Sequence, residues 1–114
     1  METGEKIKQR REELGMSQDE LARKSGYKWR SSINKIEVGR QRLPYNKLVD
    51  IARALRVTPS YLIGYEDKEE SILTALQEEI MLKVYELTPE NQETVLGIID
   101  TILQSQTRKD GQDD

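Results

Sequence analysis

Apolar residues recur at helical spacing along most of this 114-residue chain. In the segment 44–56, Leu48, Ile51, Ala52 and Leu55 stand at positions i, i+3, i+4 and i+7, which places them on one face of an amphipathic helix. Comparable stripes predict helices over about 3–14, about 69–87 and about 88–104. The pattern therefore predicts an all-α protein.

A helix, a tight turn and a second helix are predicted within residues 17–37. Ser17 can cap the first helix, and Glu20 three positions later completes a capping box. Gly26 supplies the break between the two helices. The second helix carries Ile33 and Ile36 on one face, and on the other it carries Arg30, Ser31, Asn34 and Lys35. Such an arrangement is typical of a helix-turn-helix that enters the DNA major groove.

The net charge of −3 hides a separation of sign along the chain. Residues 1–64 hold fourteen Lys and Arg against eight Asp and Glu, whereas residues 65–114 hold four against thirteen. The basic part is the part that contains the predicted helix-turn-helix. Because nucleic acid responds to the local potential, this coincidence favours a DNA-binding amino-terminal domain over a merely solvated surface.

The second half of the chain has a different organisation. Thr58 and Pro59 begin a short fifth helix as N-cap and first helical residue, and Gly64 ends it. The composition then becomes acidic, which predicts a linker over residues 65–70. A helical hairpin is predicted over residues 71–106, and a disordered polar tail over residues 107–114.

The apolar face of this predicted hairpin needs a cover. Two helices alone bury little apolar surface, and small units gain stability by association. The hairpin either folds back on the first five helices or pairs with its copy in a second subunit. The apolar stripe of the last helix is wide, which favours dimerisation through Val95, Ile98, Ile99, Ile102 and Leu103.

Several classes of chemistry are excluded by composition. Without Cys or His, the chain has no disulfide, no thiolate or imidazole metal ligand and no imidazole catalyst. No glycine-rich phosphate loop or compact acidic cluster is present, so we expect no enzyme activity, no metal and no cofactor. The charged amino-terminal segment predicts neither a signal peptide nor a membrane anchor, and hence a cytoplasmic protein.

The amino-terminal residues resemble the phage-repressor and Cro-type helix-turn-helix family, also called the xenobiotic-response-element type. The resemblance covers residues 3–64 and rests on Ile7, Arg11, the run from Leu14 to Gln18, Glu20-Leu21-Ala22, Gly26, Ile33, Ile36-Glu37, Gly39, Leu48, Ile51-Ala52, Ala54-Leu55 and the run from Val57 to Leu62. It implies a five-helix, lambda-repressor-like DNA-binding domain over residues 1–64.

The resemblance also implies roles for individual residues. Arg11 and Glu37 match an ion pair that clamps the first helix to the end of the third. Gln18 matches a contact to a phosphate or a base edge at the start of the second helix. The exposed face of the third helix matches the recognition surface. Arg40 and Arg42 match basic loop residues that hold the flanking DNA backbone.

The chemistry of the predicted DNA-binding residues agrees with these roles. Arg30 and Lys35 can donate to guanine, and Asn34 can address adenine with two hydrogen bonds. One of the serines, Ser31 or Ser32, either leans back onto the helix or binds phosphate. Lys28 lies in the turn and is expected to contact phosphate rather than a base. Trp29 either packs on the sugar-phosphate edge or a thymine methyl group, or it covers the gap between the second and third helices.

The sequence therefore predicts a transcriptional regulator. We expect a prophage or mobile-element repressor that binds a two-fold operator on double-stranded DNA as a homodimer, released by an antirepressor, proteolysis or competition. The alternative is an antitoxin-type protein whose hairpin binds a toxin and whose DNA binding is autoregulatory. A third interpretation is a restriction-modification control protein, which would bind DNA in the same way and differ only in the gene that it regulates.

Overall fold

The computed structural model describes residues 1–112, with side chains described as far as Lys109. This part of the chain forms seven α-helices and no strand, which confirms the all-α prediction. The helices are α1 (Thr3–Glu13), α2 (Gln18–Lys24), α3 (Arg30–Glu37), α4 (Tyr45–Ala54), α5 (Pro59–Leu62), α6 (Lys68–Glu86) and α7 (Pro89–Gln112). They fall into two compact units, Met1–Glu78 and Glu79–Asp114.

The core of the first unit is built from the apolar stripes of α1 to α5 and from residues that connect them. Its buried members are Ile7, Met16, Leu21, Ala22, Ile33, Ile36, Leu48, Ile51, Ala52, Leu55, Val57, Tyr61 and Leu62. Each helix is too short to be stable alone, so burial of these side chains holds the helices in place. Ile72 of α6 also packs against this core.

The first five helices end in the same motif, in which a left-handed residue follows the C-cap. At the end of α2, Gly26 has a φ of 80°, and the next N–H, that of Tyr27, donates to the carbonyl of Ala22 at 2.8 Å. This hydrogen bond satisfies a carbonyl that the helix leaves open and turns the chain sharply towards α3. Arg56 occupies the corresponding position after α4 with a φ of 55°.

Two N-caps lie where the sequence predicts them. The side chain of Ser17 accepts a hydrogen bond from the Glu20 N–H at 3.0 Å. The side chain of Thr58 accepts from the Tyr61 N–H at 3.2 Å, with Pro59 as the first helical residue. Each cap satisfies a backbone donor that has no partner inside its helix.

The segment predicted as a linker over residues 65–70 belongs to the first unit, and most of its side chains are exposed. Helix α6 begins at Lys68, and Ser71 is fully buried. The Ser71 hydroxyl accepts from the Thr58 N–H at 2.7 Å, and its oxygen lies 3.1 Å from Thr58 Oγ1. Thr58 Oγ1 also donates to the Glu66 carboxylate. Glu66 within this segment and Ser71 just after it thus serve as hydrogen-bond partners of Thr58.

The second unit comprises the end of α6 and all of α7. Gln92 joins the two helices, since its side-chain amide donates to the carbonyls of Val84 and Leu87 at 3.0 and 3.3 Å. The tail that the sequence predicts as disordered over residues 107–114 is helical as far as residue 112, and residues 113 and 114 lie outside the described part. Thr107, Arg108 and Lys109 are exposed polar residues, which are compatible with helix and need no core to cover them.

Within residues 1–112, no helix is both long enough and apolar enough to cross a membrane.

Candidate nucleic-acid interface

Helix α3 has one face in the core and one face in solvent. Ile33 and Ile36 are buried, and so is Glu37 at its carboxyl end. The predicted recognition residues on the opposite face, Arg30, Ser31, Asn34 and Lys35, are all exposed. Ser32 is half-buried. The hydrophobic packing therefore fixes the helix, and it leaves four polar side chains free to meet a ligand.

The turn before α3 presents Lys28 and Trp29 to solvent. Trp29 is the N-cap residue of α3 and is 63% exposed, so it does not fill the gap between α2 and α3. Tyr27, two residues earlier, is the aromatic residue of this turn that packs against the core. Burial raises the pKa of the Tyr27 hydroxyl, and the nearby carboxylate of Asp50 raises it further. The Lys28 ammonium lies 5.3 Å from the centre of the Trp29 ring.

Two arginines follow α3 in the connection to α4. Arg40 and Arg42 are both exposed, and the N–H of Arg40 donates to the carbonyl of Lys35 at 2.8 Å as part of the turn that ends α3. Their guanidinium groups thus extend the set of exposed cations formed by Lys28, Arg30 and Lys35. Such a run of positive charge suits a polyanionic backbone.

An ion pair joins α1 to the end of α3. Arg11 Nε lies 2.7 Å from Glu37 Oε2, Arg11 Nη2 lies 3.1 Å from Glu37 Oε1, and Arg11 Nη1 donates to the carbonyl of Met16 at 2.9 Å. The hydrogen bond to Glu37 raises the pKa of Arg11, although burial acts in the opposite direction. This is the pairing of Arg11 with Glu37 that the resemblance implies.

Gln18 lies at the start of α2, but its amide is bound inside the protein. Gln18 Nε2 donates to Glu37 Oε1 at 3.1 Å, so Glu37 accepts from both Gln18 and Arg11. The sequence predicts a DNA contact for Gln18 and does not indicate this internal hydrogen bond. A glutamine at a helix start carries no signal for a partner nineteen residues away.

Lys47 of α4 is a further residue that the sequence analysis does not identify. Its ammonium group reaches the turn between α2 and α3, where it donates to the carbonyl of Gly26 at 3.2 Å. Lysines on the polar side of an amphipathic helix are common, so no sequence signal distinguishes this one. The contact joins Lys47 to the turn that precedes Lys28, Trp29 and α3.

Comparison with known proteins agrees with this geometry. A helix-turn-helix family model matches residues 7–62. The uncharacterized transcriptional regulator in the ATPase CF(0) region of Rhodospirillum rubrum is 41% identical over 61 residues, which are 54% of this chain and 56% of that protein. The chain thus spans little more than half the length of this curated relative.

One solved structure is also similar. A chain of the SinR protein/SinI protein complex is 25% identical, with 89% of this chain and 97% of that chain covered at a TM-score of 0.49.

Proposed function

We propose that this chain, a member of the Cro/C1-type helix-turn-helix family of DNA-binding transcriptional regulators through residues 7–62, is a prophage or mobile-element repressor. It would bind a two-fold operator as a homodimer and block a promoter by occupying it. The proposal places the protein on the nucleoid in the cytoplasm, and it assigns no catalytic role to the chain.

The division of α3 into a buried and an exposed face carries this proposal. Arg30 and Lys35 on the exposed face can donate to the O6 and N7 atoms of guanine, and Asn34 can bind adenine through two hydrogen bonds. Each good pairing of this kind contributes about 1–3 kcal/mol of discrimination between bases. Lys28, Arg40 and Arg42 would bind phosphates on either side and fix the register of α3 on the duplex.

The apolar face of α7 supports the homodimer. Ile98, Ile99, Ile102 and Leu103 are between 41% and 57% exposed in the single chain, and Val95 is half-buried. Contiguous apolar surface of this kind marks an interaction site in soluble proteins. A second copy with the same face would bury it in an isologous contact, and the two recognition helices could then enter successive major grooves about 34 Å apart.

Selection of bound sites from random duplex DNA, with the full chain at moderate salt, tests the proposed function. We expect an inverted repeat whose half-sites lie about one helical turn apart. A consensus without two-fold symmetry would refute the homodimeric operator. Recovery of no consensus would refute sequence-specific repression.

Charge placed on the α7 face tests the dimer separately. Sedimentation of the full chain should show a dimer, and Ile99→Asp and Ile102→Asp should convert it to a monomer because a carboxylate would be buried in the contact. Gln104→Asp introduces the same group on the polar side of α7 and should leave the dimer intact. A wild-type chain that sediments as a monomer would contradict the proposal.

The same exposed face also favours a second candidate function. An antitoxin-type protein would use this hairpin to bind a toxin or an antirepressor, and its DNA binding would be autoregulatory. Wild-type protein that purifies from its host with a second chain in stoichiometric amount, and that is monomeric when separated from it, would favour this candidate over the homodimeric repressor.

A further inference from the structure

The ammonium group of Lys47 makes three contacts with the turn between α2 and α3. Lys47 Nζ lies 3.2 Å from the carbonyl oxygen of Gly26 and 3.5 Å from that of Ser25. It also lies 4.8 Å from the centre of the Tyr27 ring. Lys47 belongs to α4, so one side chain from a different helix holds three consecutive residues of the turn.

The turn needs such a partner for two reasons. Ser25 and Gly26 stand at the carboxyl end of α2, where carbonyl groups lack partners within the helix and the helix dipole is negative. A cation at this end satisfies the carbonyls and interacts favourably with the dipole. The same cation is attracted to the face of the Tyr27 ring. This attraction holds the Tyr27 side chain in place two residues before Trp29.

We propose that Lys47 is a positioning residue for DNA recognition, which holds the turn in the conformation that presents Lys28, Trp29 and Arg30 to the duplex. The inference rests on the DNA-binding role proposed for α3. Lys47 itself does not touch DNA in this account, because its ammonium group is engaged by Gly26, Ser25 and Tyr27. It acts through the residues that follow the turn.

A positioning role and a direct phosphate contact have different signatures. Loss of a phosphate contact weakens binding to all duplexes alike and reduces the slope of log K against log salt by about 0.9. Loss of a positioning residue weakens the specific complex, in which α3 must fit the base edges, more than the nonspecific one. It also leaves the salt slope unchanged because the number of phosphates bound stays the same.

Trp29 allows the turn to be observed without DNA, because it is the only tryptophan of the chain and lies three residues after Gly26. Lys47→Met keeps the length of the stem and removes the charge. We expect it to shift the Trp29 emission and to lower the fluorescence anisotropy, and we expect Lys47→Arg to restore both. Lys8→Met removes the same charge from an exposed position on α1 and should change neither. Unchanged Trp29 signals in Lys47→Met would overturn the proposal.

Binding experiments then test the role in recognition, with the duplex selected by the wild-type protein and a random-sequence duplex as probes. Lys47→Met should weaken binding to the selected duplex about tenfold and to the random duplex less than about twofold, at an unchanged salt slope. Equal losses on both duplexes with a flatter slope would overturn the positioning role in favour of a phosphate contact. Wild-type affinity for the selected duplex would overturn it as well.

Two controls keep these outcomes interpretable. Urea unfolding monitored by circular dichroism establishes that each variant is folded under the binding conditions. If Lys47→Met does not fold, Lys47→Gln provides a second neutral variant. Failure of the wild-type chain to select any duplex would refute the proposed function, whereas the Trp29 comparison would still decide whether Lys47 holds the turn.

Discussion

Glu37 and Arg11 form a bidentate pair, in which Nε and Nη2 of one guanidinium donate to the two oxygens of one carboxylate at 2.7 and 3.1 Å. The Glu37 side chain is only 2% exposed and the Arg11 side chain 11% exposed. The pair joins α1 to the last residue of α3. Since α3 carries the exposed face that would read DNA, this pair fixes the end of the recognition helix on the rest of the domain.

Removal of one partner from this pair should be strongly destabilising. Arg11→Met would leave the Glu37 carboxylate buried without its cation, and we expect the free energy of unfolding to fall by about 3–5 kcal/mol. In the double variant Arg11→Met/Glu37→Met, the loss should be clearly smaller than the sum of the single losses. Urea unfolding monitored by circular dichroism measures the free energy of unfolding of the two single variants and the double variant.

The exposed pair of Lys24 with Glu20 serves as the control for this experiment. Its nitrogen and oxygen lie 3.4 Å apart, and both side chains are more than a third exposed. Lys24→Met should therefore lower the stability by less than about 1 kcal/mol. Equal effects of Lys24→Met and Arg11→Met would show that burial of the Glu37 carboxylate does not control the cost.

Gly4 marks a close approach of α1 to the end of α3. A Cβ atom at this position would lie 2.5 Å from the carbonyl oxygens of Ile36 and Glu37, which are backbone atoms and cannot move aside alone. Gly4→Ala should therefore lower the free energy of unfolding by about 1–3 kcal/mol. Thermal unfolding measures the change.

The matched control is Gly97→Ala on α7, where an added Cβ meets nothing within 4 Å. Because alanine is the better helix former, this change should raise helix stability by about 1 kcal/mol. A loss of stability in Gly97→Ala similar to that in Gly4→Ala would contradict the steric explanation.

The contact between Glu13 and Lys68 predicts a dependence of stability on pH. Lys68 Nζ lies 2.6 Å from Glu13 Oε1. This hydrogen bond lowers the pKa of Glu13, and it raises the pKa of Lys68. A lowered carboxylate pKa in the folded state contributes stability above the unfolded-state pKa, and this contribution is lost as the pH falls through the folded-state value.

Glu13→Gln should therefore destabilise the protein near neutral pH and have no effect in strong acid. Since both side chains are about a third exposed, the difference at neutral pH should stay below about 1 kcal/mol. Urea midpoints of the wild type and the variant, measured from pH 7 to pH 2, should converge at pH values below the usual range of a glutamate pKa. A constant difference over this range would show that ionisation of Glu13 is not the cause.

Ser71 should contribute far more to the stability of the fold than its place in an acidic segment suggests. Ser71→Ala would remove the acceptor of the buried Thr58 N–H, and we expect a loss of about 1–3 kcal/mol in the free energy of unfolding. Thr101→Ala removes a hydroxyl from an exposed helical position and should change the stability by less than about 0.5 kcal/mol. Similar unfolding midpoints for the two variants would contradict the internal role of Ser71.

The first five helices could be predicted from sequence because local signals and packing agree there. The stripe from Leu48 to Leu55 is buried as its spacing requires, and Ser17 and Thr58 both act as N-caps. Helix α4 is shorter at both ends than the predicted segment 44–56, because Pro44 and Leu55 serve as its caps. The exposure of Arg30 and Asn34 follows from the same periodicity.

The remaining features depend on contacts between residues far apart in sequence. Ser71 is buried because it meets Thr58, and Gln18 turns inward because Glu37 accepts its amide. Lys47 approaches the turn only because α4 packs beside it. A pattern of polar residues indicates that these side chains can form hydrogen bonds, but it does not identify their partners.

Arg30 and Arg40 should differ in what they contribute to binding, although both are exposed arginines of the first unit. Arg30 begins the recognition helix, so Arg30→Ala should relax specificity at one base step of the selected duplex at a cost of about 1–3 kcal/mol. Arg40 follows the helix, so Arg40→Ala should weaken binding to all duplexes alike and reduce the salt slope by about 1.

The measurement is the affinity of each variant for a set of single-base variants of the selected duplex, at several salt concentrations. Arg108→Ala on α7 provides the control for loss of an arginine outside the first unit and should match the wild type. If Arg30→Ala and Arg40→Ala altered specificity equally, the base-reading surface would extend beyond α3 into the connection to α4. The proposed roles, in which Arg30 reads a base and Arg40 binds phosphate, would then be wrong.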